Sequence, residues 1–142
     1  MQFKMQVRPT ADQRKAFFGT PEDGPFVMLN LLKFKPKAEY ADGSDADISG
    51  FEAYQRYFRE VRHHILKLGG TMGYSGPVTG LHLGEGEELW DMIALVEYPS
   101  LAAMKEMLDS PDYQEIAKHR TAGLAGQLNI KTKGTVGSSR PS

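Results

Sequence analysis

The stretch Phe26–Phe34, FVMLNLLKF, constrains the fold of this chain more than any other segment. It is apolar almost throughout and stands between Gly24-Pro25 and Pro36. A run of this length between chain breakers fits a central β-strand covered on both faces, since a strand with one wet face would alternate. One amide, Asn30, interrupts it. An unpaired amide in such surroundings costs roughly 1–3 kcal/mol, so Asn30 requires a partner: a protein group, a buried water or a ligand.

The segments around this strand fall into place by their caps and periodicity. Pro9-Thr10 with Gln13 predicts a short leading helix with Thr10 as N-cap, ended by Gly19 and Pro21. Residues 35–50, KPKAEYADGSDADISG, read as a long polar surface loop. Ser49 and Glu52 form a capping box for a helix whose apolar stripe is Phe51, Tyr54, Phe58, Val61, Ile65 and Leu68. Gly69-Gly70 supplies the left-handed stop. Residues 71–83 read as an edge strand broken at Gly76-Pro77 and Gly80, and Leu89–Tyr98 as a second central strand. Pro99-Ser100 and Ser110-Pro111 start two pieces of a kinked helical crossover, and Leu124–Lys131 is the last strand.

Counted out, the order is strand, helix, strand, strand, helix, strand. This predicts an α+β fold of the split βαβ, ferredoxin-like kind: a four-stranded antiparallel sheet with both crossover helices on one face and an extra N-terminal helix. Residues 1–131 form one domain in this scheme, with 1–25 as helical lead-in and 132–142 as a flexible polar tail. Both central strands are apolar on both sides while helices cover only one. The free face therefore predicts a homodimer whose sheets close into an α/β barrel.

Composition excludes several functions. The 17 basic and 18 acidic residues leave a net charge of −1 with no basic run, which argues against nucleic acid. The absence of cysteine removes disulfides, iron–sulfur ligation and a thiol nucleophile, and favours the cytoplasm. No segment approaches the ~20 apolar residues of a membrane helix, and no leader is legible. Gly84-Glu85-Gly86 lacks the rest of a dinucleotide fingerprint, and the histidines lack metal-ligand spacing.

The motifs NLLKF (30–34), GFEAYQRYF (50–58), LGG (68–70), WDMIALVEYPS (90–100) and SPDYQEIAKHRTAGL (110–124) resemble the domain of unknown function family 1330, within the dimeric α/β-barrel superfamily. The resemblance spans residues 24–131. It implies the ferredoxin-like fold and the dimer. It supplies no catalytic residues, because superfamily members include cofactor-free monooxygenases, haem-binding enzymes and isomerases.

Five residues are candidates for a site. Asn30 is placed to orient a carbonyl or enolate through paired donor and acceptor groups, or else to bridge a neighbouring loop. Arg120 falls on one stripe with Tyr113, Ile116 and Ala117, which aims its guanidinium inward as an anion ligand; the alternative is an ion pair with Glu97 or Asp91, or the capping of helix carbonyls. Tyr54 and His64, on or beside the inner stripe of the long helix, and Trp90, at the start of the third strand, are the candidate ligand-binding residues. The expected function is binding of, and cofactor-independent action on, a small oxygenated organic compound. The alternatives are a non-catalytic binding or assembly dimer, and haem binding through His64 or His119. No metal and no cofactor are expected.

Overall fold

The computed structural model describes residues 5–137 except Glu87. The elements are α1 (Ala11–Phe18), β1 (Phe26–Phe34), α2 (Gly50–Lys67), β2 (Thr71–Pro77), β3 (Met92–Tyr98), α3 (Leu101–Asp109), α4 (Pro111–Gly123) and β4 (Leu124–Lys133). The sheet runs β2-β3-β1-β4 with every pairing antiparallel, which is the ferredoxin-like arrangement. Both predicted capping boxes form, Thr10 with Gln13 and Ser49 with Glu52. Gly69 takes φ +89° at the end of α2, where a side chain would be strained. The N-terminus of α3 is held twice: Ser100 Oγ accepts from the Ala103 amide, and the Glu22 carboxylate accepts from the amides of Leu101 (2.8 Å) and Ala102 (3.0 Å). A carboxylate suits that end of the helix dipole and ties the chain before β1 to the second crossover.

The register sorts the strands by parity. Phe26, Met28 and Leu32 on β1, with Val96 and Tyr98 on β3, pack under Tyr54, Tyr57, Val61 and Ile65 of α2 and Met104, Met107 and Tyr113 of α3 and α4. Leu29 lies opposite Leu95 and Ile130, and Leu31 opposite Ile93 and Leu128. These residues form the other face, which no helix covers. At its β2 end the backbone amide of Val136 donates to the Glu97 carboxylate (2.8 Å), and the Val136 side chain lies against Gly73.

The structure departs from several expected boundaries. β2 ends at Pro77 instead of residue 83, because proline brings no amide to the ladder and the loop returns through Val78 N–H donating to Asp91 O. β3 begins at Met92, since the Asp91 carboxylate is occupied with the Phe34 amide (2.8 Å) and the Lys33 ammonium (3.4 Å). β4 runs to Lys133 because Thr132 and Lys133 pair with Val27 and Phe26, so the tail begins later than residue 132; residues 138–142 lie outside the described residues. On α2, Phe51 is 45% exposed while Tyr57 is 8% exposed. The helix packs on α4 as well as on the sheet, which turns its buried stripe toward Tyr57. At that helix contact Gly50 meets Gly123 backbone to backbone: a side-chain carbon on either would collide with the other's carbonyl. Glycine at both positions lets the first turn of α2 meet the end of α4.

Candidate functional site

Asn30 shares the helix-covered face with Met28 and Leu32, so its amide points into the layer between sheet and helices. Its requirement for partners is met by protein. Asn30 Oδ1 accepts from Gln127 Nε2 (2.7 Å) and Asn129 Nδ2 (2.6 Å), while Nδ2 donates to the carbonyls of Ala94 (3.2 Å) and Met28 (3.4 Å). The chain of bonds continues, because Gln127 Oε1 accepts from the Arg120 guanidinium. Asn30, Gln127 and Arg120 thus form one polar line across three elements.

This line borders a cavity of about 680 Å³. Asn30, Gln127, Asn129 and Arg120 line it beside Tyr57, Tyr98 and Tyr113. α1 and α3 contribute the apolar wall through Phe17, Phe18, Met104, Met107 and Leu108. A second space of about 50 Å³, behind the polar line, is bordered by Tyr54, Phe58 and Val96. The N-terminal segment closes the edge of the larger cavity: Gln127 N–H donates to Gln6 O (2.8 Å), and the Arg8 guanidinium donates to Thr121 Oγ1 (3.3 Å).

The lining is one-sided in charge. Arg8, Arg14, Lys118 and Arg120 border the cavity, and among the described residues no Asp or Glu does. Arg14 is bridged to Asp109 and Lys118 to Glu115. Neither alternative partner reaches Arg120. Asp91 is held by Lys33, and Glu97 lies on the open face of the sheet beneath Val136. Arg120 is half-buried and donates to Gln127 Oε1, and a cation so placed without a carboxylate favours an anion beside it. The tyrosines are buried (Tyr54 5%, Tyr57 8%, Tyr98 6% and Tyr113 8% exposed). Burial pushes the phenols of Tyr54, Tyr57 and Tyr98 well above the usual 10, and Arg120 pulls against it at Tyr54 and Tyr57 without reversing it. They are neutral donors at ordinary pH.

The structure brings together three of the five sequence candidates: Asn30, Arg120 and Tyr54. His64 lies on the flank of α2 and lines neither cavity, and Trp90 stands in the loop before β3 instead of in the strand, also away from both. His119 is bound elsewhere, its Nδ1 2.7 Å from the Tyr40 hydroxyl. Sequence reasoning missed Gln127 and Asn129. Their signal was present: two amides spaced by two in an alternating strand share a face, and the register sets Asn129 opposite Asn30. Among the described residues no cluster of three metal-ligating side chains occurs.

A ferredoxin-like sheet with a polar line and a cation-bordered cavity under its helices defines an α+β protein built around a small-molecule-sized space. The model of the domain of unknown function family DUF1330 matches residues 44–132, and the chain belongs to that family. It is similar in structure to the RPA0582 protein of Rhodopseudomonas palustris, of unknown function, at 34% identity over 93% of this chain and 96% of that one, with a TM-score of 0.82. A dimeric protein of unknown function with a ferredoxin-like fold from Bacteroides fragilis is 10% identical, covering 78% and 96% of the two chains, TM-score 0.50. A candidate antibiotic biosynthesis monooxygenase from Caulobacter crescentus is 13% identical, covering 79% and 91%, TM-score 0.50. Those two likenesses concern the fold alone. No curated protein matches the sequence.

Proposed function

We propose that this protein binds a small, anionic, oxygenated organic compound in the cavity between sheet and helices, and acts on it with its own side chains and no bound cofactor. The observation that carries this proposal is the Asn30–Gln127–Arg120 line, which sets an arginine without a carboxylate partner at the wall of a space of about 680 Å³ with no acidic lining among the described residues. Arg120 neutralises the anion, the amides fix its orientation, and the aromatic wall takes its apolar body. Because no carboxylate among the described residues lines the cavity to take a proton, the compound enters already ionised, as a carboxylate or a preformed enolate. The monooxygenase and isomerase chemistries expected from the superfamily both pass through such an anion.

The protein acts as a homodimer in this proposal, with Leu29, Leu31, Ile93, Leu95 and Ile130 of one copy packed on the same face of a second. That aliphatic face also supports the rival reading of a non-catalytic assembly dimer. Haem ligation by His64 or His119 is disfavoured, since neither side chain lines the cavity. No helix among the described residues is long and apolar enough to cross a membrane. Native mass spectrometry of the purified protein, followed by a thermal-shift screen of organic acids, tests the proposal. A retained or stabilising acid whose effect disappears in Arg120→Met is the expected result; an empty protein indifferent to all acids leaves the assembly dimer.

A further inference from the structure

The tyrosines around the polar line carry a donor inventory that does not balance within the protein. Tyr57 and Tyr113 hydroxyls lie 3.0 Å apart and bond each other. A pair of hydroxyls has two protons and one shared bond, so one O–H has no acceptor among the described residues. Tyr54 and Tyr98 hydroxyls bond nothing among the described residues, yet no fully buried side-chain oxygen or nitrogen lacks a partner. Their oxygens therefore open onto the cavities they line. On the acceptor side, both lone pairs of Asn30 Oδ1 are taken, and Gln127 Oε1 is taken by Arg120. Tyr57, Tyr98 and Tyr113 line the larger cavity with Arg120, and the acceptors beside them include Asn129 Oδ1 and the second lone pair of Gln127 Oε1.

We propose that the Tyr57–Tyr113 pair is the hydrogen-bond donor that selects the ligand, and that the ligand is an enolate or phenolate: a single oxyanion on a flat, conjugated body. This rests on the proposed anion site at Arg120 and narrows its substrate class. A cation would meet the like charges of Arg8, Arg14, Lys118 and Arg120. A carboxylate spreads its charge over two oxygens of low basicity, whereas a phenolic O–H is matched in basicity to an enolate or phenolate oxygen. The relay within the pair adds to this, since a hydroxyl that accepts from its neighbour becomes a stronger donor at its own proton. Burial keeps the Tyr57 phenol protonated, so it supplies a hydrogen bond without adding negative charge against the ligand. The other charged groups bordering the cavity are all cationic: Arg8 and Arg14 from the N-terminal segment, and Lys118 and Arg120 from α4.

A nitrophenol, whose ionisation is visible by absorbance, is titrated with pH in the presence of excess protein, with benzoate as the carboxylate comparison. Wild-type protein should bind the phenolate form about tenfold or more tighter than the neutral phenol, shifting the colour change to lower pH. Tyr57→Phe and Tyr113→Phe should each remove most of that preference, while Tyr74→Phe on the open face leaves it intact. Phenolate binding that is lost in Arg120→Met but unchanged in both Phe variants overturns the tyrosine proposal and spares the anion site. Binding of benzoate alone also overturns it in favour of a carboxylate site. If wild-type protein binds neither compound, both proposals fall.

Discussion

The two faces of one sheet differ in chemistry as well as in burial. On the helix-covered side, β1 alternates Met28, Asn30 and Leu32, and the amide at the centre recruits Gln127, Asn129 and Arg120 into one bonded line. On the other side the same strand offers Leu29 and Leu31, flanked by Ile93, Leu95, Leu128 and Ile130, with Glu97 and Lys33 only toward the ends. The covered side, where burial is deepest, holds the polar chemistry, and the uncovered side is aliphatic. A polar line within a core costs stability unless every group is bonded. An aliphatic face left to water costs stability unless something covers it. Under the function proposed above the faces have separate tasks: recognition of a small molecule inside, association outside.

Breaking the outer face should have the largest effect. Leu31→Asp puts a charge at the centre of the aliphatic patch, opposite Ile93 and Leu128. Desolvating that carboxylate at a dimer contact costs several kcal/mol, so dissociation should increase by about a thousandfold or more. Light scattering at micromolar concentration should show a dimer for the wild type and a monomer for the variant. A wild-type monomer, or an unaffected dimer, would remove the associative task from this face.

Breaking the inner face at its centre comes next. Asn30→Leu deletes the acceptor of two side-chain amides and strands the donors of Gln127 and Asn129. The expected loss is roughly 1–3 kcal/mol, which lowers Tm by roughly 3–10 °C for a chain of this size. A variant as stable as the wild type that has lost ligand binding would mean the amide serves the ligand alone; one that is destabilised with ligand retention unchanged would mean it serves the fold alone.

Arg120→Met separates binding from folding on the same face. Because no carboxylate pairs with Arg120 among the described residues, the change should leave Tm within about 2 °C of wild type. Affinity for an organic anion should fall roughly tenfold to a hundredfold, the worth of a charged hydrogen bond. Stability that drops at neutral pH and recovers on acidification would instead reveal a carboxylate partner stranded by the change.

Much of this contrast was legible in the sequence. The order of elements followed from caps and periods that the structure reproduces, Thr10–Gln13 and Ser49–Glu52 among them. The apolar character of both faces of β1 was legible because a parity of two leaves nowhere for a polar residue to hide except Asn30. The face on which Asn30 lies was not legible, since parity fixes which residues go together and not which side the helices take. Gln127 and Asn129 were readable only with the β1–β4 register, a long-range property set by the bulge between Lys33 and Phe34. Trp90 was assigned to a strand by its apolar neighbours, but Asp91 binds the end of β1 and keeps the preceding residues in a loop.

The smallest predicted effect tests whether either face responds to pH near neutrality. The inner face holds an arginine and phenols that burial pushes upward, so nothing cited there titrates between pH 5 and 8. His119 lies outside both faces. Its Nδ1 sits 2.7 Å from the Tyr40 hydroxyl, whose oxygen accepts from Arg56 (3.2 Å) and whose own proton can be donated to the neutral imidazole. Desolvation, then Lys118 and Arg56, lower its pKa below the usual 6.5, with Glu115 opposing. A lowered folded pKa means the unfolded chain binds the proton more readily. The stabilisation is therefore complete above about pH 6.5 and is lost as pH falls through the folded value. Solvent exposure of the ring limits the effect, and we expect Tm to fall by about 1–2 °C across that window. The carboxylates of Asp42, Asp109 and Glu115 are held below their usual range by hydrogen bonds from Ser44, Lys105 and Lys118, so their contributions are lost only at lower pH. His119→Gln should flatten Tm between pH 6.5 and 5 while leaving the acid limb in place. A decline that persists in this variant would mean that a group other than His119 titrates in this window.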